Sequence, residues 1–149
     1  MSYRDSYLSL DPTYRDSHGL PLLRLTFDWH DNEYKMAAYC AAKMEEIVRV
    51  MKPERYATLS FKPGNHYDVR IYQSTHTTGG AIMGSNPQNS AINRYSQSWD
   101  VSNLFVFGAS AFPQNIGYNP TGLLAGLAYF SAAAIRDSYL KSPGPLVPS

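Results

Sequence analysis

The chain has 149 residues, 44% hydrophobic and 17% charged, which fits one globular domain that buries roughly 70% of the surface its unfolded chain would expose. A net charge of +1, from 13 basic and 12 acidic residues, argues against a strongly basic nucleic-acid face or a polybasic membrane patch. The single cysteine, Cys40, excludes an intramolecular disulfide and any CxxC or CxxCH site; no apolar run reaches the roughly 18 residues of a membrane span, and Met1–Ser6 lacks the apolar stretch of a secretory leader.

In chain order, Asp11-Pro12 and His18-Gly19 read as turns. Leu23, Leu25 and Phe27 alternate with Arg24, Thr26 and Asp28, which predicts a half-buried strand. Asp31 or Asn32 can cap the helix that follows, with Glu33 in its first turn. Met36, Cys40, Met44, Ile47, Val48 and Met51 share one face of that helix, so they are expected as core, with Cys40 a buried structural thiol. Pro53 stops the helix. The alternation of Ala57, Leu59 and Phe61 predicts a second strand, Pro63-Gly64-Asn65 a turn, and Val69–Tyr72 a short third strand. Ser74 to Ser102 is rich in Gly, Thr, Asn, Ser and Gln and reads as a long loop, the kind that is functional or disordered. Asn103–Phe107 predicts a buried strand ending in Gly108. Thr121 to about Tyr139 predicts a helix that is apolar nearly all round, with Gly122 and Gly126 four apart to admit another backbone or a flat ligand. Residues 141–149, with three prolines and a glycine, predict a flexible tail.

Chemistry concentrates in the second half. His76 is followed by Gly79-Gly80, which let backbone approach a ligand, and imidazole is the usual general base near neutral pH. His18, His30 and His66 have no ligand-spaced companion and read as structural; no metal site is expected. Asn119-Pro120-Thr121 is an ordinary helix start, Asn as cap and Pro as first residue. The same dipole would also stabilise a ligand that gains negative charge.

The ordered set of His76, Gly79-Gly80, Met83-Gly84, Asn103 through Pro113, and Asn119-Pro120-Thr121 with its Ala-rich helix resembles the C-terminal region of the glucose–methanol–choline (GMC) oxidoreductases. Leu10-Asp11-Pro12, Asp16, Gly19-Leu20-Pro21 and Arg24 agree. Within the family the chain is most similar to the flavoprotein subunits of gluconate, sorbitol and fructose dehydrogenases, over about residues 6 to 140. The resemblance implies an α+β fold: an antiparallel sheet with helices from the substrate domain, plus a strand and long helix that complete an FAD domain. Residues 1–140 would be the catalytic region and 141–149 the tail. No GxGxxG follows a first strand, so the FAD-binding half is expected to lie outside this chain, making it a C-terminal piece of a longer protein.

The resemblance also implies roles. His76 would be the general base for a CH–OH group of a sugar, sugar acid or alcohol whose hydride passes to flavin N5. Asn119, at the second position of the family's His–His or His–Asn pair, would position the substrate oxygen. Gly108 and Ala109 match the segment beside the FAD ribityl and pyrophosphate. Many members carry an acidic residue at the position of Gly108, so backbone N–H groups would serve here. Asn119, Pro120 and Thr121 match the helix start under the isoalloxazine ring. The implied partners are the remainder of the flavoprotein or a partner chain, the sugar or alcohol substrate, and a cytochrome or quinone acceptor, with no nucleic acid. The implied setting is the bacterial periplasm or the periplasmic face of the inner membrane, with the cytoplasm as the alternative. Two other readings stay open: a non-catalytic carbohydrate-binding module using some of the 12 tyrosines and 2 tryptophans, and an oxidase of the same family that reduces oxygen.

Overall fold

A computed structural model of the chain describes residues 3–58, 63–115 and 117–148. Its fold is α+β, with one two-stranded antiparallel sheet and two long helices. It divides into two compact units, residues 9–73 and residues 1–8 with 74–149.

In the first unit, β1 (Tyr7–Arg15) pairs with β2 (Pro21–Thr26). The turn is built as expected around His18-Gly19: the Asp16 carboxylate accepts from the His18 and Leu20 N–H groups, and Gly19 closes back on the Asp16 carbonyl. Asp11-Pro12 lies inside β1 and not in a turn. The Asp11 carboxylate accepts from the Thr13 and Tyr14 N–H groups, so a local turn-like contact is absorbed by the strand. Helix α1 (Asp31–Met51) starts one residue earlier than its sequence signal: His30 is the cap, and the Glu33 carboxylate accepts from the His30 N–H at 3.0 Å. It ends as expected before Pro53, with left-handed Lys52 donating to the Val48 carbonyl.

The apolar stripe of α1 is not core. Met36, Met44, Ile47 and Met51 are all more than half exposed, and Cys40 is exposed too. No residue of α1 is buried, and among the described residues no helix or strand packs closely along that face. The expected strand at Val69–Tyr72 is a turn in which the Asp68 carbonyl accepts from the Ile71 and Tyr72 N–H groups. Most of the strand expected at 57–61 falls on residues outside those described.

The buried centre of the second unit lies where the sequence reads as loop. Ile92, Asn93, Ser96, Gln97, Ala111 and Phe112 are its core, joined by isolated bridges instead of strands. Side chains replace the missing ladder. Gln97 accepts from the Asn93 amide and the Leu146 N–H, and donates to the Ser102 and Gly144 carbonyls at 2.7 and 2.9 Å. Two backbone groups of the expected tail are therefore tied to this centre. Asn103–Phe107 is neither a strand nor buried: it makes one bridge, Gln97 to Phe105, and leaves Leu104 and Phe107 exposed.

Helix α2 (Thr121–Ala134) runs into a wider turn over Ile135–Tyr139, matching the expected extent. Ser131 anchors it, sharing a 2.9 Å hydrogen bond with Ser96, and Phe130 stacks on Tyr95. Leu123, Tyr129 and Phe130 stay exposed, as an apolar helix without a covering layer must be. No helix of the described residues is long and apolar enough to cross a membrane.

Candidate active site

The His76 loop is laid along the Gly108–Phe112 segment. Gly79 N–H donates to Ala109 O at 3.4 Å, Ala81 N–H to Ser110 O at 2.9 Å and Met83 N–H to Ala111 O at 2.9 Å. Gly79 and Gly108 sit at φ 87° and 117°, where an L side chain is strained, so these two turns require glycine. Gly80 has a different reason: a Cβ there would lie 3.1 Å from Leu8 Cδ1, so its bareness makes room for packing and not for a ligand.

His76 is half-buried. Its N–H donates to Ser74 Oγ, its carbonyl accepts from the Asn115 amide at 3.2 Å, and its imidazole makes no hydrogen bond to another described residue. Asn119 is exposed. It does not cap α2: buried Pro120 takes the cap position with helical backbone and makes no side-chain cap bond. Among the described residues, no hydrogen bond joins the His76 and Asn119 side chains; Asn115 bridges their two loops instead, accepting from Gly117 N–H at 3.3 Å. Asn115 was missed in the sequence, although an Asn two residues before a Gly is a turn signal.

Elsewhere, Phe27, Trp29, Tyr67 and Tyr72 pack on one another, with edge-on centroid distances from 4.9 to 5.7 Å. His66 Nδ1 lies 2.5 Å from Asp28 Oδ2, and this bond together with the Tyr67 and Trp29 N–H groups holds the Asp28 carboxyl down to about 2. These contacts account for the cluster as packing around a loop. Among the described residues, no group of three or more His, Cys, Asp or Glu is arranged to hold a metal ion.

The family model described as GMC oxidoreductase matches residues 2–128. Over 146 residues, 98% of the chain, it is 58% identical to the gluconate 2-dehydrogenase flavoprotein of Pantoea cypripedii, covering 24% of that protein. It is 32% identical to a 2-methyl-1,2-propanediol dehydrogenase of Mycolicibacterium austroafricanum, across 81% of the chain and 21% of the relative. It is 30% identical to the fructose dehydrogenase large subunit of Gluconobacter japonicus, across 87% and 22%. The chain spans less than a quarter of the length of these relatives. With its glycine-bounded histidine loop, its uncapped helix start and this match over most of its length, the chain belongs to the GMC oxidoreductase family, whose C-terminal region it represents.

Proposed function

We propose that this chain is the C-terminal catalytic segment, residues 1–140, of an FAD-dependent dehydrogenase that oxidises a CH–OH group of a sugar acid, sugar or alcohol. The observation that carries the reading is the pairing of Gly79, Ala81 and Met83 with Ala109, Ser110 and Ala111, directly after a half-buried His76 whose imidazole makes no hydrogen bond to another described residue.

The residues present suit the cofactor. At Gly108 an added Cβ would meet nothing closer than Ser110 Oγ at 4.0 Å, so bare backbone faces open space. At α2 the first helical bond across the cap runs from Leu124 N–H to Pro120 O at 2.9 Å. The Thr121, Gly122 and Leu123 N–H groups precede it and have no intrahelical carbonyl of their own, and nothing lies within 4 Å of an added Cβ at Gly122. That terminus favours negative charge. Gly108, Ala109 and the Asn119–Thr121 helix start would therefore hold FAD, completing the FAD domain with the remainder of the flavoprotein.

When bound, FAD supplies the hydride acceptor. His76 takes the substrate hydroxyl proton on an imidazole nitrogen, and the Asn119 amide hydrogen-bonds the same oxygen and orients the carbinol carbon. The substrate class and a separate electron-accepting partner rest on likeness to the gluconate 2-dehydrogenase flavoprotein and the fructose dehydrogenase large subunit.

In the complete flavoprotein, His76→Ala should slow flavin reduction by substrate by roughly a hundredfold or more, the worth of a general base. Stopped-flow reduction measures it; near-normal kinetics would remove His76 from the mechanism.

A further inference from the structure

Between Ser74 and Thr78 the chain is tethered weakly. Its hydrogen bonds among the described residues are a local one from His76 N–H to Ser74 Oγ and a single non-local one, from Asn115 Nδ2 to the His76 carbonyl. The ladder to Ala109 begins only at Gly79. The opposite face of the same carboxamide, Asn115 Oδ1, accepts from Gly117 N–H, where the chain turns at φ 75° on its way to Asn119 and α2. One side chain thus spends its donor on the histidine loop and its acceptor on the loop that carries Asn119, across 39 residues of sequence. A carboxamide carries its donor and its acceptor on separate atoms, so one side chain can hold both groups in fixed directions.

We propose that Asn115 is a positioning residue. It fixes the main chain of His76 relative to the Asn119 turn, so that base and substrate-orienting amide meet the same hydroxyl oxygen. The inference rests on the proposed roles of His76 and Asn119. Asn115 itself touches neither substrate nor cofactor. Its effect is on geometry, where a displacement of about 1 Å can cost about a hundredfold in rate.

The test uses the complete flavoprotein with two substitutions. Asn115→Ala removes both bonds; Asn115→Asp keeps the acceptor for Gly117 but sets a carboxylate against the His76 carbonyl. Both should lower kcat for flavin reduction by roughly tenfold while leaving KM within about threefold, the pattern of an interaction expressed in the transition state. In the His76→Ala background, Asn115→Ala should have no further effect on kcat, which a merely structural role would not produce. Hydrogen exchange supplies a readout independent of turnover. The Gly117 amide should exchange faster in Asn115→Ala only, and the Gly79 amide faster in both. Wild-type kcat in Asn115→Asp, or unchanged Gly79 exchange in both variants, would overturn the clamp. Near-normal kinetics in His76→Ala would overturn the base assignment alone, leaving the exchange result to judge the clamp.

Discussion

Gln97 shows how much a single side chain can carry in an irregular fold. It is 1% exposed, and both amide hydrogens and both carbonyl lone pairs are used: two acceptors on Oε1, two donors on Nε2. Gln97→Ala would orphan the Ser102 and Gly144 carbonyls and the Leu146 N–H together. Each buried polar group left without its bond costs about 1–3 kcal/mol, reduced where water reaches it. We therefore expect Gln97→Ala to destabilise by roughly 2–4 kcal/mol in denaturant unfolding, with the Leu146 amide losing its exchange protection. His76 was legible in the sequence because glycines follow it. Gln97 and Asn115 were not, because their importance lies in what they reach across 47 and 39 residues of chain.

At the scale of elements, the helices and the hairpin follow local signals. Glu33 in the first turn and Pro53 after the last bound α1, and Asp16 with Gly19 closes the hairpin. The loop at 63–72 is different. It is fixed to the exit of β2 by Asp28, which accepts from His66 and from the Tyr67 and Trp29 N–H groups. Asp28 has a folded value of about 2 against 3.8 when free, held down first by the His66 bond. A carboxyl lowered by folding stabilises the native state above its free value, and that contribution is lost as pH falls from about 4 toward 2. Asp28→Asn should accordingly flatten the pH dependence of unfolding in that window, measured by denaturant titration at each pH. The remaining slope belongs to Asp68, which Arg70 also holds near 2, and to Asp11 and Asp137, whose carboxyls are lowered by the Tyr14 N–H and by Arg136. An equally steep profile in Asp28→Asn would mean that the His66 contact adds nothing in solution.

At the scale of the whole molecule, the mismatch is between apolar pattern and burial. The α1 stripe and the α2 surface have the composition of core, yet Met44, Met51, Leu123 and Tyr129 all stand more than half exposed. On the proposed reading, these two apolar faces are covered in the complete flavoprotein. The 149-residue chain alone should therefore bind a dye specific for exposed apolar surface and associate with rising concentration. The complete flavoprotein should bind far less dye per residue. Fluorescence titration with sedimentation checks both, and a monomeric, dye-silent chain would contradict the exposure of these faces.

By itself the sequence determined the family, the two helices, the hairpin turn and the presence of β2, though not its burial, since Leu23 and Leu25 are exposed, and it pointed to His76 and the helix start at Thr121. Those features depend on residue order and on contacts within a few positions. The tertiary structure decided the rest. Asp11-Pro12 became strand because β2 lies alongside it, and Asn103–Phe107 did not because only one bridge reaches it. The polar stretch from Ser74 became the seat of the core because Asn93, Ser96 and Gln97 found partners for every buried group. Periodicity states which face of an element is apolar; only packing determines whether anything covers it, since burial belongs to a pair of surfaces and not to one.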